Sequence, residues 1–228
     1  MRKAWHRVNP TLFERIKAEV ESAYPNLHFY IENGVVFVRG SFPIIHENKI
    51  LDRYSIEIEF PHDYPKSVPI VREVGGRIPR TADYHMSKTG EACLFLPDER
   101  WQVNPLDATF LDFLNGPVRN FFLGQTLVSL GESWPFGQWA HGVSGIHEYY
   151  ASLLGTYDLS SIIRYLECLS KPKVKGHWDC PCGSGKRLRN CHFGQLLDLR
   201  EKISPQVARH SLILLASSIL RKEQSQNQ

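Results

Sequence analysis

The sequence has no long hydrophobic run. Its apolar segment near the C-terminus, residues 212–220, is far shorter than the roughly 20 residues with which an α-helix crosses a bilayer. The opening stretch MRKAWHRVNP carries basic side chains but no apolar segment behind them, so it does not resemble a secretory signal. We therefore expect a cytoplasmic protein in which residues 212–220 form a packed helix.

The sequence also lacks an excess of one charge. Its 228 residues contain 27 Lys and Arg against 24 Asp and Glu, a formal net charge of +3. So small a surplus argues against nucleic acid and against an anionic membrane as partners. Hydrophobic residues make up 42% of the chain, which is enough for a core of ordinary size.

Hydrophobic periodicity predicts an α+β fold for the first two thirds of the chain. Residues 11–23 alternate apolar and charged side chains at helical spacing, with Thr11 as a candidate N-cap. Segments rich in β-branched and aromatic residues then predict an antiparallel meander of four strands. These segments are residues 28–31, 35–42, 54–60 and 68–73.

The second half of the chain is predicted to be helical after one long loop. Residues 75–104 show little periodicity and many Gly, Pro and polar residues, and long loops inside compact domains tend to be functional. Helical patterns follow at residues 107–130, 145–154, 160–169, 194–203 and 205–220. The basic segment 171–176, which contains Pro and Gly, is predicted to be a linker, so we place a domain boundary between residues 170 and 171.

Cysteines are few, and their positions separate them into three kinds. A reducing cytosol disfavours disulfides, so the five cysteines should be thiols or metal ligands. Cys168 lies in a helical apolar pattern and is expected to be inert core packing. Cys93 stands alone in the long loop, whereas Cys180, Cys182 and Cys191 form a cluster.

The cluster has the spacing of a zinc site. Residues 178–192 read WDCPCGSGKRLRNCH, which supplies Cys180, Cys182, Cys191 and His192 as four nitrogen and sulfur donors, the number that tetrahedral zinc takes. The glycines allow tight turns, and the neighbouring basic residues would offset the charge of three thiolates. A closed site of this kind is structural rather than catalytic, and the alternative is a loop of unligated thiols.

Residues 178–193 closely resemble the SEC-C motif. This is a short zinc-binding module at the end of the bacterial preprotein translocase motor, and it is appended to many other bacterial proteins. The resemblance implies that zinc is held by the four residues that match its ligands: Cys180, Cys182, Cys191 and His192. It also implies a role in docking other proteins.

Cys93 lies in the loop segment HMSKTGEACLFLPDERW, residues 85–101. A thiol on an irregular loop, with Gly90 shortly before it, is accessible for attack and lies beside backbone that can shape an anion pocket. The alternative for Cys93 is a buried and inert structural cysteine.

The order of the predicted elements and the spacing of the motif residues in this region resemble those of ubiquitin-conjugating enzymes. A helix and four strands are followed by FPHDYPKSVP at residues 60–69, then by a His, by Gly90 three residues before Cys93, and by Trp101 eight residues after it. The similarity covers roughly residues 10–155 at the level of element order. It implies a ubiquitin-conjugating-enzyme-like fold in residues 1–170, with residues 171–228 as a zinc module with C-terminal helices. By the same resemblance Cys93 would accept a protein C-terminus as a thioester and pass it to an amine.

The sequence departs from the eukaryotic enzymes at the position of their asparagine. The His-Pro-Asn tripeptide is missing, and His85 stands eight residues before Cys93 in its place. An imidazole there could donate a hydrogen bond to the tetrahedral intermediate or act as a base toward the amine. The alternative for His85 is a histidine that only holds the loop together.

The segment 134–150 resembles bacterial relatives of these enzymes. Those relatives occur in antiviral operons, including CBASS systems, where such a protein can join a cyclic-nucleotide synthase to a target through its C-terminus. His141 and Glu148 in this segment are further candidates for the site, although packing at a helix start is the commoner use of its aromatic residues.

Three hypotheses follow for the function. The first is a thioester transferase that uses Cys93 and His85 on a protein tail from a cyclic-nucleotide synthase or a ubiquitin-like protein. Because the phosphate-binding pattern G-x-x-x-x-G-K-[ST] is absent from the sequence, an activated donor or a partner activating enzyme is expected. The second is an inactive binding or scaffold protein of the same fold. The third is a thiol hydrolase that uses His85 or His141.

Overall fold

The computed structural model describes residues 4–137, 140 and 142–226, with side chains described up to residue 219. His141 therefore lies outside the described residues. The described chain forms two compact units. The first, called the sheet unit, comprises the described residues of Met1–Phe95 and Val103–Gly137, and the second, called the helical unit, comprises those of Leu96–Gln102 and Gln138–Gln228.

Four strands of the described chain form one antiparallel sheet in the order β1-β2-β3-β4. The strands are β1 (Leu27–Glu32), β2 (Val35–His46), β3 (Lys49–Glu59) and β4 (Ile70–Glu73). The helices are α1 (Trp5–Val8), α2 (Pro10–Ala23), α3 (Arg100–Val103), α4 (Phe110–Phe113), α5 (Arg119–Ser129), α6 (Val143–Leu154), α7 (Leu159–Ser170), α8 (Phe193–Lys202) and α9 (Pro205–Gln226). The predicted α+β class is thus confirmed, and no helix among the described residues has both the length and the apolarity needed to cross a membrane.

The core of the sheet unit lies between one face of the sheet and the helices α2, α4 and α5. Alternation along β3 buries Tyr54, Ile56 and Ile58 and turns Glu57 and Glu59 outward, as a strand with one wet face requires. Rings join the helices to the buried face, since Phe42 of β2 stacks on Tyr24 after α2 and contacts Phe122 of α5. Burial of this apolar face is the main force that assembles the unit.

The outward face of the sheet carries a row of cross-strand ion pairs. Arg39 of β2 lies opposite Glu57 of β3, and Glu57 lies opposite Arg72 of β4. Arg39 Nε is 2.7 Å from Glu57 Oε2, and Arg72 Nη1 is 2.7 Å from Glu59 Oε2. Arg72 also reaches Glu91 at 3.2 Å, so the row continues from the sheet into the segment before Cys93.

The structure corrects the N-cap of one predicted helix and shows a π-helical turn within another. The helix predicted at residues 11–23 is α2, which begins at Pro10. Its N-cap is Asn9 rather than Thr11, and the Asn9 side chain accepts a hydrogen bond from Leu12 N at 3.1 Å. Proline suits the first helical position because it has no N–H to leave unpaired. The helix predicted at residues 107–130 is observed as α4 and α5, joined by a π-helical turn at Leu114–Val118 that contains Pro117.

The division into units differs from the predicted boundary at residue 170. The helices α6 and α7 share one apolar cluster with the cysteine-rich segment and with α8 and α9, so they belong to the helical unit. The buried members of that cluster include Ile162, Leu166, Leu169, Cys180, Leu188, Leu196 and Leu215. Its α9 member Leu215 agrees with the prediction that residues 212–220 pack as a helix.

A buried carboxylate ties three segments of the helical unit together. Asp98 is only 2% exposed, and its Oδ1 accepts hydrogen bonds from Tyr150 of α6 at 2.5 Å and from Ser211 of α9 at 2.7 Å. Tyr149 donates to the Asp98 carbonyl at 2.9 Å. Burial raises the pKa of Asp98, although the hydrogen bonds from Tyr150 and Ser211 oppose that shift.

We predict that the Asp98→Asn variant gains stability relative to the wild type as pH rises from 4 to 7. The folded-state pKa of Asp98 lies above its unfolded value, so the unfolded state releases the proton first and ionisation lowers wild-type stability as pH rises through the folded pKa. An amide oxygen can still accept both hydrogen bonds but does not titrate. Denaturant unfolding at several pH values measures the difference in the free energy of unfolding.

The control for that experiment is Asp158→Asn. Hydrogen bonds from Ser161 and Ser160 lower the pKa of Asp158 to about 2, so its carboxylate stabilises the fold above the unfolded pKa and this stabilisation is lost as pH falls. The control should therefore lose stability relative to the wild type as pH rises. A pH-independent difference for Asp98→Asn would contradict the prediction.

Candidate functional site

The predicted metal ligands converge in the helical unit. One ligand atom from each of Cys180, Cys182, Cys191 and His192 lies within 4.8 Å of every other. The Sγ atoms of Cys180 and Cys182 are 3.3 Å apart, and those of Cys182 and Cys191 are 3.7 Å apart. His192 Nδ1 lies 3.2 Å from the Sγ of both Cys180 and Cys191.

These separations fit a single metal ion. Bonds of about 2.0 to 2.3 Å place the donors of a tetrahedral site about 3.5 to 3.8 Å apart, close to the distances observed. The nitrogen that faces the sulfurs is Nδ1, the ring atom nearer the backbone, as the adjacency of Cys191 and His192 favours. In the part of the chain that is described, this is the one group of such residues able to hold a metal ion.

Backbone hydrogen bonds fold the segment into this arrangement. Cys180 N donates to Lys186 O at 2.9 Å and Leu188 N donates to Trp178 O at 2.7 Å, which closes a hairpin whose loop carries Cys182. Gly183 lies at the tip of the hairpin with a φ of +78°, a backbone conformation that residues with a Cβ rarely adopt. Cys191 then follows a 3₁₀ turn at Leu188–Asn190, and His192 is the N-cap of α8.

The helix α7 anchors the hairpin. Arg164 Nε donates to the carbonyl of Pro181, the residue between the first two cysteines, at 2.9 Å. The Tyr165 ring meets the His192 ring edge-on at 6.1 Å, and Leu188 is fully buried beneath the cluster. The metal ligands are thus held by a packed core as well as by their own loop.

The two thiols of the hairpin have opposite electrostatic environments. Burial raises the pKa of Cys180 to about 11, whereas a hydrogen bond from Ser184 lowers the pKa of Cys182 to about 6. Burial also raises the pKa of Cys168, which agrees with its predicted role as core packing in α7. A cation would favour the thiolate form of every cysteine ligand.

The structure places Cys93 and His85 opposite one another in the sheet unit. Met86 and Ala92 form an antiparallel bridge, and Cys93 N donates to His85 O at 2.8 Å across the same hairpin. Gly90 forms its turn with a φ of +86°, and its N–H bonds to Ser87 O at 3.0 Å. Cys93 is exposed, as predicted, and His85 is half-buried.

The hairpin of residues 85–93 is attached to the edge of the sheet. Ala92 N donates to Val71 O of β4 at 2.8 Å, and Arg72 pairs with Glu91 through both backbone and side chain. The loop that carries Cys93 therefore has a fixed position against β4 rather than depending on its own turn alone.

His85 and the residue before it are also contacted by Trp134 and by α5. The rings of His85 and Trp134 have centroids 4.7 Å apart and are tilted by 39°. Gln125 of α5, which is buried, donates Nε2 to the carbonyl of Tyr84 at 2.7 Å. Sequence analysis did not identify Trp134 or Gln125 as neighbours of His85, because no local pattern links residues 40 or more positions away.

Two further candidates came from the segment 134–150. His141 lies outside the described residues. Glu148 of α6 accepts a hydrogen bond from Ala140 N at 2.9 Å within the helical unit, a local contact that holds the start of that helix.

Comparison of the chain with protein-family models, with curated proteins and with solved structures returned no match.

We predict that Cys182→Ser loses a metal ion that the wild type retains. Purified wild-type protein should carry about one metal ion per chain by the four-ligand rule, and elemental mass spectrometry of the intact protein measures it. Cys182 is only half-buried, so its replacement removes a ligand with little effect on core packing.

The matched control is Cys168→Ser, which alters a thiol of α7 outside the cluster and should keep the metal. Wild-type protein that is fully folded and metal-free would contradict a metal site here.

Proposed function

We propose that this chain is a cysteine-dependent acyl transferase that resembles ubiquitin-conjugating enzymes. The observation that supports it most is the hairpin of residues 85–93, which presents the exposed Cys93 directly opposite His85 and is fastened to β4. An accessible thiol on a fixed backbone, with a histidine as its partner residue across the hairpin, supports a role in covalent acyl transfer.

In the proposed reaction the Cys93 thiolate attacks the carbonyl of an activated donor thioester. The donor thiolate leaves, and the acyl group is then held on the Cys93 sulfur as a new thioester. An amine attacks this carbonyl, the Cys93 thiolate leaves, and the amine loses its proton as the amide forms. His85 either donates a hydrogen bond to the tetrahedral oxyanion or takes the proton of the amine.

We infer the identity of the acyl donor from the family resemblance. It would be a protein C-terminus, from a ubiquitin-like protein or from a CBASS cyclic-nucleotide synthase, activated by a partner enzyme, in bacterial antiviral defence in the cytoplasm. We also propose that the metal is zinc, because three thiolates and one imidazole are donors that zinc prefers, and that the residues around it dock a partner protein. With four protein ligands the ion would be structural, so it supplies folding energy and no reactive position.

We expect Cys93 to form a thioester with a chemically defined donor. The probe is a short glycine-terminated peptide with a mercaptoethanesulfonate thioester, added to metal-loaded protein, and intact mass spectrometry follows the adduct. Wild-type protein should gain the acyl mass, and excess thiol should remove it. Cys93→Ala should gain none, whereas Cys168→Ala should behave as the wild type. An equal adduct on Cys93→Ala, or none on the wild type, would count against the proposal.

The same experiment separates the alternatives. An inactive scaffold of this fold would hold the adduct without passing it to added lysine. A thiol hydrolase would release the peptide acid at a rate independent of the amine. Cys93→Ser should accumulate an adduct that resists excess thiol, because an oxygen ester exchanges far less readily than a thioester.

His85 should act in discharge of the adduct rather than in its formation. We predict that His85→Ala slows transfer from Cys93 to lysine by about 100-fold, the usual effect of losing one oxyanion donor or one general base. Formation of the adduct should change little. His85→Asn distinguishes the roles, since a carboxamide can donate a hydrogen bond but cannot take a proton. Unchanged discharge in His85→Ala would assign the histidine to holding the loop.

A further inference from the structure

Trp134 is the aromatic neighbour that covers His85. Its indole lies C-terminal to α5, half-buried, with its centroid 4.7 Å from that of the imidazole. Phe121 of α5 meets the same indole nearly edge-on at 6.2 Å, and Phe136 does so at 6.1 Å. The indole is therefore held by other rings and in turn faces His85.

A glycine in α5 provides the space for this indole. A Cβ atom added at Gly124 would lie 2.6 Å from two ring atoms of Trp134, closer than packed atoms approach. Glycine in a helix interior costs about 1 kcal/mol relative to alanine, so helix formation does not favour it here. The close approach of Trp134 accounts for a residue that the helix itself disfavours.

The backbone of His85 is fixed without help from Trp134. Its N–H bonds to Ala82 O at 2.8 Å and its carbonyl accepts from Cys93 N, while Gln125 holds the preceding carbonyl. His85 has a φ of +51°, a left-handed conformation that these contacts maintain. The Trp134 ring packs against the imidazole with a tilt of 39°, which limits rotation of the imidazole about its side-chain bonds.

We propose that Trp134, seated on Gly124, is a positioning residue that orients the His85 imidazole for its role beside Cys93. This inference rests on the proposed function. An imidazole that must meet a short-lived oxyanion or amine gains from a fixed orientation, because misplacement by about 1 Å can cost 100-fold in rate.

The test compares two variants that disturb the indole in different ways. Trp134→Leu removes the ring, whereas Gly124→Ala keeps it but fills its space. Each has a matched control in the sheet unit. Tyr30→Leu removes an exposed ring of β1 that lies over Arg39, and Gly116→Ala adds a methyl group at a glycine where nothing lies within 4 Å.

The first measurement is the NMR spectrum of the histidine rings in the full chain, with His85→Asn identifying the signals of His85. The ring current of the indole should shift these signals, and both Trp134→Leu and Gly124→Ala should move them. The controls should leave them close to their wild-type positions. Trp134→Phe retains an aromatic face and should restore part of the shift.

The second measurement is transfer of the glycine-terminated peptide from Cys93 to lysine in a single turnover. Trp134→Leu and Gly124→Ala should slow discharge by about tenfold or more while adduct formation is unchanged. In a His85→Ala background, Trp134→Leu should slow it no further, because the two residues act as one unit.

Three results would overturn the inference. These are unchanged His85 signals in both variants, wild-type discharge in both variants, or an equal loss from Trp134→Leu with and without His85. A wild-type protein that forms no adduct would overturn the proposed function instead. The histidine signals would then decide separately whether Trp134 orients His85.

Discussion

The apolar face of the four-stranded sheet must be shielded from water. The helices that cover it determine most of the arrangement of the sheet unit. Helix α5 covers it with Phe121 and Phe122, whose burial fixes the rotation of the helix about its axis. That rotation places Gly124 against Trp134 and Gln125 against the carbonyl before His85. The burial of apolar area that stabilises the fold therefore also determines the surroundings of the candidate catalytic histidine.

The edge of the same sheet holds the candidate nucleophile. β4 is one of the two edge strands of the meander, and an edge leaves backbone groups available for pairing. The hairpin that carries Cys93 uses them, through Ala92 N and Val71 O, and Arg72 adds an ion pair to Glu91. An irregular loop thus obtains a defined position from the sheet while Cys93 itself remains exposed.

The cysteine cluster is governed by electrostatic repulsion rather than by apolar burial. Three sulfurs within a few ångströms repel one another once they are thiolates, and Arg164 together with the backbone of residues 178–188 brings them together nonetheless. A bound cation would attract the thiolates and so offset their mutual repulsion. The convergence of these four side chains therefore indicates a metal site. The helical unit is built around the same segment, since Leu188 and Cys180 belong to its buried cluster.

Local patterns were sufficient for the elements and for the cluster. The predicted strand segments 35–42 and 54–60 and the cysteine spacing at 180, 182 and 191 each depend on neighbours a few positions away, and the structure agrees with them. The exposure of Cys93 followed from its irregular loop in the same way. The N-cap at Asn9 and the π-helical turn at Leu114–Val118 were not predicted, because caps and local strain depend on atomic geometry that residue patterns do not encode.

Tertiary structure alone decided which distant residues meet. The sequence by itself determined an α+β chain, a four-donor cluster and a lone loop cysteine, since these follow from periodicity and spacing. It did not determine that α6 and α7 would share a core with the cysteine cluster, nor that Trp134 would lie on His85. Hydrophobic attraction does not specify which apolar side chains will meet. Such contacts are therefore determined only when the whole core packs without voids.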